Sequence, residues 1–347
     1  MRAATAARCL WRLVLGGMLG MAGLPVQAQP APPGLDANGR ALWGAFLLEN
    51  LPRTAAVSPD GHLGWHSGSP PAESRARALA NCRTAGGTGC VPYAEGLDVV
   101  LPGQVQAAPT PPGPLAATWN WSLVPDSRFW WHGPQAAAGV VVWMEGKGGG
   151  IGPGLQPPPL LRPFSVAGFD VMRLDREPAA DDRDRAAGWL REALALLRAQ
   201  GWRRVVVAGQ SRGAWNALQV LDTPGLADAV IALSPAAQGT AGGASAPGES
   251  GGGLNLPSQD DELRRVMAAI PPGPARLAVA QFAGDSFISD ADTRIRLLER
   301  VRPRLGALLL IDRPEGFRGH GAGTTRGFAQ AEGACLLRFV LRTVDAC

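Results

Sequence analysis

The 347-residue chain is 46% hydrophobic, enough for a sizeable core in one or two domains, and its 46 glycines and 31 prolines imply many loops. Its formal net charge is +4, but Arg2, Arg8 and Arg12 supply three of those charges, so the rest of the chain carries only +1 and lacks the basic balance of a nucleic-acid-binding protein. Lys147 is the one lysine against 32 arginines, a bias read as composition rather than function.

Residues 1–28 have the pattern of a secretory signal peptide. A basic start precedes an apolar stretch at 13–22, and Val26-Gln27-Ala28 places small residues where a signal peptidase cuts, before Gln29. The apolar stretch is shorter than the roughly 20 residues of a membrane span and is interrupted by Gly. No Leu-x-x-Cys-type lipid site is present. The expectation is a periplasmic or secreted protein with no membrane attachment after cleavage. Cys9 leaves with the signal, and the remaining Cys82, Cys90, Cys335 and Cys347 suit disulfides in an oxidising compartment. Proximity favours Cys82 with Cys90 and Cys335 with Cys347, one of three connectivities.

Residues 29–49 read as a Pro-rich, loose leader with a short helix from about 40. Residues 50–103 read as a small α+β module. A strand at 54–58 meets the Pro59-Asp60-Gly61 turn, an extended run follows at 62–68, a helix at 72–82, and strands at 90–93 and 97–101. This succession is similar to a hairpin, helix and strand module found in exported bacterial proteins of unknown function. His62 and His66 in extended chain share no helix face and have no third ligand, so no metal is expected there. Packing, or docking of a protein partner, is the role expected of the module.

A Pro-rich linker follows at 104–117. Residues 118–132 hold Trp119, Trp121, Phe129, Trp130 and Trp131 in rough alternation, read as core positions of antiparallel strands. From residue 139 the pattern is βαβ. The runs at 140–144, 169–174, 205–208, 229–233, 276–282 and 307–311 are continuous and apolar, as parallel strands covered on both faces should be. Helices are expected at 182–200, with Ala187, Leu190, Leu194 and Leu197 on one face, and at 260–269, 290–301 and 323–341. Prolines at 155–163 suggest a rigid wall, and the Gly/Ser/Ala-rich run at 236–257 a mobile loop over the strand ends.

The most informative stretch is the strand at 205–208 followed by Gly209-x-Ser211-x-Gly213 and a helix. A serine on so tight a turn needs small neighbours two positions away on each side. With its flanking strand and helix the motif resembles the nucleophile elbow of the α/β-hydrolase superfamily, a resemblance that extends over about residues 138–345. It implies the α/β-hydrolase fold, a mostly parallel sheet with helices on both faces, carried by residues 118–347.

The resemblance also implies roles. Ser211 would be the nucleophile of a Ser-acid-His triad. His320 is the one histidine after Ser211, nine residues beyond the last expected strand, and stands where the superfamily has its base. Asp285 follows the strand at 276–282 in Ala283-Gly284-Asp285 and takes the acid position. Asp290 is the alternative, better suited to capping the next helix. The Glu145-Gly146-Lys147-Gly148 loop occupies the place of the superfamily's His-Gly loop, with Glu145 where His is frequent; Lys147 or Gly148 would give one oxyanion N–H and Arg212 the other. The Arg212 side chain is further expected over the site, facing an acidic substrate group. No cofactor or metal is required. The implied activity is hydrolysis of a small-molecule ester or related acyl bond. A peptidase on the same triad, and a non-catalytic binding protein on the same scaffold, are the other readings.

Overall fold

A computed structural model describes residues 29–147, 157–181, 183–237, 256–288 and 290–346. The expected signal, Gly148 and most of the 236–257 run therefore lie outside the described residues. So do Ser289, between the expected acid loop and its helix, and Cys347 of the second expected disulfide.

The N-terminal part is built on a four-stranded antiparallel sheet. In chain order it comprises α1 (Ala37–Leu47), β1 (Arg53–Val57), β2 (Leu63–Ser67), α2 (Pro71–Thr84), β3 (Val91–Glu95) and β4 (Asp98–Val99), with sheet order β2-β1-β3-β4. Successive β1 residues face opposite ways. Ala55 and Val57 join Trp43, Phe46, Leu63 and Tyr93 in a cluster under α1, while Ala56 packs with Ala78 and Cys82 of α2. A disulfide joins Cys82 at the end of α2 to Cys90 ahead of β3.

The helix expected from about 40 is present as α1, but the segment before it is not loose. Asp36 caps α1, and Trp43 and Phe46 are buried in the small core. Gln29 is also buried, with its Oε1 accepting from Arg53 Nη2 at 3.0 Å. Composition misleads for 29–38 because Gln29 and Pro30 are held from a distance, by Arg53 and the Tyr93 hydroxyl.

The second sheet has eight strands. Its elements are β5 (Ala116–Ala117), β6 (Trp121–Pro125), β7 (Gly139–Met144), α3 (Arg162–Val166), β8 (Phe169–Arg176), α4 (Arg183–Gln200), β9 (Val205–Gln210), α5 (Arg212–Gln219), β10 (Ala229–Leu233), α6 (Leu256–Ala269), β11 (Arg276–Gln281), α7 (Ala291–Glu299), β12 (Ala307–Asp312) and α8 (Arg326–Val340). The strand order is β12-β11-β10-β9-β7-β8-β6-β5. Strands β7 to β12 pair in parallel, whereas β5 and β6 are antiparallel at one edge. This order, with the strand-turn-helix of β9 and α5 at its centre, is the α/β-hydrolase fold.

Helices cover both faces, and the strands divide their side chains between them. From β7, Val140, Val142 and Met144 pack with Leu190 and Leu194 of α4, Trp215 of α5 and Leu263 of α6. Val141 and Trp143 point the other way, into a cluster with Phe164 of α3 and Phe328 and Phe339 of α8. All four residues expected on the inner face of α4 are buried. Of the aromatic run at 118–132, Trp121, Phe129 and Trp130 are buried, but Trp119 is 98% exposed. It lies in the β5–β6 turn, where Thr118 Oγ1 accepts the N–H of Asn120 and of Trp121 and so holds residue 119 outward.

Among the described residues no helix is long and apolar enough to cross a membrane. The two sheets are tied by Arg162, whose Nε donates to Asn50 Oδ1 at 3.1 Å and Nη1 to the Arg128 carbonyl at 2.8 Å, and by the Glu49–Arg326 ion pair.

Two stability predictions follow from this packing. The Cys82–Cys90 bridge spans a separation of eight residues, so replacing both cysteines with serine should cost about 2–3 kcal/mol in a urea titration. Buried Asp126 accepts from Arg128 Nε at 2.8 Å and from Arg173 Nη1 at 3.0 Å. Burial pushes its pKa up, but the two guanidinium groups and the Arg128 N–H outweigh this and hold it below the ordinary 3.8. A lowered carboxyl pKa adds stability above the unfolded value, and this is lost as pH falls through the folded one. Urea titrations from pH 6 down to pH 2 should therefore show an acid-side loss that is smaller in Asp126→Asn, a variant already weaker by about 3 kcal/mol at pH 7.

Candidate active site

Strand β9 ends at Gln210, and the chain turns within one residue into α5. Ser211, at that turn, has φ 54° and ψ −118°, backbone that a side-chain-bearing residue adopts only under restraint. The restraint comes from neighbouring backbone. The Ser211 N–H donates to the Leu233 carbonyl at 3.0 Å, and its own carbonyl accepts from Trp215 N at 3.0 Å and Ala236 N at 3.2 Å. A Cβ on Gly209 would lie 2.5 Å from the Gly213 carbonyl carbon, and one on Gly213 would lie 2.1 Å from the Met144 carbonyl oxygen. The two glycines thus let β9, α5 and the end of β7 meet at the serine.

His320 lies in the loop before α8. Its Nδ1 is 2.9 Å from each carboxylate oxygen of Asp285, which is 8% exposed. The two loops are held in register by Gly319 N–H donating to the Ala283 carbonyl at 2.9 Å. Gln210 Nε2 donates to the His320 carbonyl at 3.1 Å, tying the histidine loop to the residue before Ser211. The Phe287 ring packs 4.3 Å from the imidazole, and the Phe287 N–H donates to Asp285 Oδ1 at 2.9 Å. Nε2 of His320 is buried with no hydrogen-bond partner. With Nδ1 facing a carboxylate, the neutral ring carries its proton there and leaves Nε2 as an acceptor. Asp290, the alternative acid, instead caps α7, accepting from Asp292 N at 3.0 Å.

The loop after β7 passes directly over the elbow. A Cβ on Gly146 would sit 3.4 Å from Ser211 Cβ and 2.8 Å from Gln210 Oε1, the end of a side chain that can shift, so the loop lies close against the elbow. Lys147 is the last described residue of this loop, and Gly148 lies beyond it. Glu145 is partly buried and turned back, accepting from Trp143 Nε1 at 3.0 Å and from the Gly146 N–H at 3.1 Å. Arg212 begins α5 next to the serine, but its side chain is not over the site. It is 1% exposed, and Nη1 donates to the Asp181 carbonyl at 3.1 Å. The α5 backbone turns the residue after Ser211 inward, where a peptide carbonyl meets its guanidinium.

Of the wall expected at 155–163, the described residues belong to the core instead: Leu160 and Leu161 are fully buried and pack with α8 residues. Four residues near the site carried no local signal in the sequence: Gln210, Phe287, Arg176 and Arg294. The buried Arg294 donates to the Pro235 carbonyl; burial lowers its pKa to about 10, while the charges of Asp260 and Asp285 act in the opposite direction.

No family model matches the chain, and no curated protein matches it. Solved structures are similar to it at low identity. An esterase from Pyrococcus furiosus is 14% identical with a TM-score of 0.47, over 66% of this chain and 88% of that one. Est1E from Butyrivibrio proteoclasticus is 14% identical at a TM-score of 0.44, over 67% and 98% respectively. An acylaminoacyl peptidase from Pyrococcus horikoshii is 14% identical at 0.41, over 65% of this chain and 39% of that one.

Because a Cβ at 213 would collide with backbone rather than with a movable side chain, Gly213→Ala should be severe. The expected cost is about 3 kcal/mol or more in urea unfolding, larger than the roughly 1 kcal/mol gain in helix propensity from replacing glycine.

Proposed function

We propose that the chain is an exported serine hydrolase that cleaves a carboxylic ester, or a similar acyl bond, through Ser211, His320 and Asp285. One observation carries the reading. A partly buried imidazole, bound to a carboxylate through Nδ1 and with a buried, unpartnered Nε2, sits in a loop tied to the residue before a strained serine. A serine hydroxyl is a poor nucleophile until a base takes its proton, and Nε2 is the available acceptor.

In this reading Ser211 Oγ attacks the acyl carbon while His320 Nε2 takes its proton. Asp285 fixes the tautomer and stabilises the imidazolium. Backbone N–H groups of Arg212 and of the 146–148 loop, Lys147 or Gly148, hold the tetrahedral oxyanion. His320 then protonates the leaving alcohol, and an acyl-enzyme remains. Water, deprotonated by His320, attacks it and returns the serine. Every proton is passed among residues of the chain, substrate and water.

Export is supported by the residue pattern of 1–28 and agrees with the Cys82–Cys90 disulfide, since such bonds persist mainly in oxidising compartments.

The test is covalent labelling of the mature protein with a fluorophosphonate, mapped by mass spectrometry. Label should sit on Ser211 and vanish in His320→Ala. Steady-state rates on short-chain p-nitrophenyl esters should fall by about 10⁴-fold or more in Ser211→Ala and His320→Ala, and strongly in Asp285→Asn. Folded, disulfide-intact protein that takes no label and cleaves neither esters nor peptides would overturn the reading and favour a binding protein.

A further inference from the structure

The loop over Ser211 is held from outside as well as by the Glu145 carboxylate. Arg176, at the C-terminal end of β8, is 2% exposed and reaches it from below. Its Nη2 donates to the Glu145 carbonyl at 2.9 Å and to the Gly146 carbonyl at 2.8 Å. The same guanidinium is fixed by Asp181, with Nε to Oδ1 at 3.0 Å and Nη2 to Oδ2 at 3.3 Å. The Asp181 carbonyl in turn accepts from Arg212 Nη1 at 3.1 Å. One buried chain of charge-assisted contacts therefore links the 145–147 loop, the end of β8 and the residue after the nucleophile.

The consequence is set by peptide planarity. In a trans peptide the carbonyl and the following N–H point in opposite directions. Holding the Gly146 carbonyl on the guanidinium turns the Lys147 N–H away from Arg176, and holding the Glu145 carbonyl does the same for the Gly146 N–H. Gly146 N is bonded to Glu145 Oε1, and Gly146 itself lies against Ser211. Were either plane to rotate, a carbonyl oxygen would face the region where negative charge develops, replacing attraction by repulsion.

We propose that Arg176 is a positioning residue of this site: it fixes the two peptide planes of the 145–147 loop so that an N–H, and not a carbonyl, is presented to the oxyanion. This rests on the serine-hydrolase reading above. Neutral or lysine replacements do not reproduce it, because a planar fork is needed to bridge a carboxylate and two carbonyls at once.

The test compares Arg176→Met and Arg176→Lys with the parent, using p-nitrophenyl butyrate as substrate and an alkyl trifluoromethyl ketone as a tetrahedral-adduct inhibitor. Fold is checked by melting temperature and near-UV circular dichroism. In Arg176→Met, kcat should fall about 100-fold with KM within about threefold, the loss expected for one oxyanion donor. The inhibitor constant should weaken in parallel with kcat/KM. Arg176→Lys, which keeps a cation on one nitrogen but not the fork, should fall between the two. A merely structural role would lower the melting temperature while leaving kcat of the folded enzyme, and its inhibitor affinity, near those of the parent. If the parent labels at Ser211 and turns over ester, but a folded variant keeps kcat within threefold or loses only KM, the positioning role is overturned and the hydrolase reading stands. If the parent itself neither labels nor turns over, both fall. Should Arg176→Met not fold, Arg176→Lys is read by the same criteria.

Discussion

The candidate site depends on one constraint, the left-handed backbone at Ser211. A non-glycine residue there costs on the order of 1–3 kcal/mol and persists only where its surroundings over-determine it. Here three elements do so. Strand β10 supplies the carbonyl that accepts the serine N–H, α5 and the Ala236 N–H bind its carbonyl, and Gly209 and Gly213 remove the atoms that would keep β7, β9 and α5 apart. The turn therefore places Ser211 where the end of β7, the start of α5 and the loops after β11 and β12 converge. The 145–147 loop lies close against this compact elbow, with Gly146 beside Ser211.

His320 and Asp285 are positioned by a second constraint, parallel pairing. Strands β11 and β12 run side by side from Arg276–Ala307 to Gln281–Asp312, so the loops that follow them leave the sheet at neighbouring points. The Ala283–Arg318 bridge extends that pairing one step beyond the strands. Asp285 and His320, 35 residues apart in the chain, meet because adjacent parallel strands deliver their loops to one edge. Gln210 then ties this pair to the elbow, so the geometry does not depend on the exposed surface.

Much of this was legible in the sequence because it is periodic or steric. Continuous apolar runs announced the parallel strands, the 3.6-residue spacing of Leu190, Leu194 and Leu197 announced α4, and the paired glycines announced the turn at Ser211. Asp290 read correctly as a helix cap because capping is local. Three things were not legible, each because its cause is distant in the chain. The segment at 29–38 read as loose, since its burial depends on Arg53 and Tyr93 reaching back to it. Trp119 read as core because alternation cannot tell a strand from the turn that ends it. Arg212 read as facing substrate because its carbonyl partner, at Asp181, is set by the end of β8 and not by the elbow.

The arginines show the same limit from another side. An excess of arginine over lysine reads as composition, yet several of these side chains are internal fasteners. Arg53 Nη1 donates to the carbonyls of Phe46, Leu47 and Glu49, closing the C-terminal end of α1, while its guanidinium lies over the Phe46 ring. Arg162 lies over Phe129 and joins the small sheet to the large one. Burial lowers the pKa of both, that of Arg162 to about 10. A lysine in such places has a compact charge, no flat face to stack and a pKa that burial moves readily, whereas arginine keeps its proton and spreads its donors over several carbonyls. Arg176 belongs to this set by geometry, and differs only in which carbonyls it holds. A buried fork gathering loose carbonyls is a common structural device, and the carbonyls that Arg176 gathers belong to the loop over Ser211.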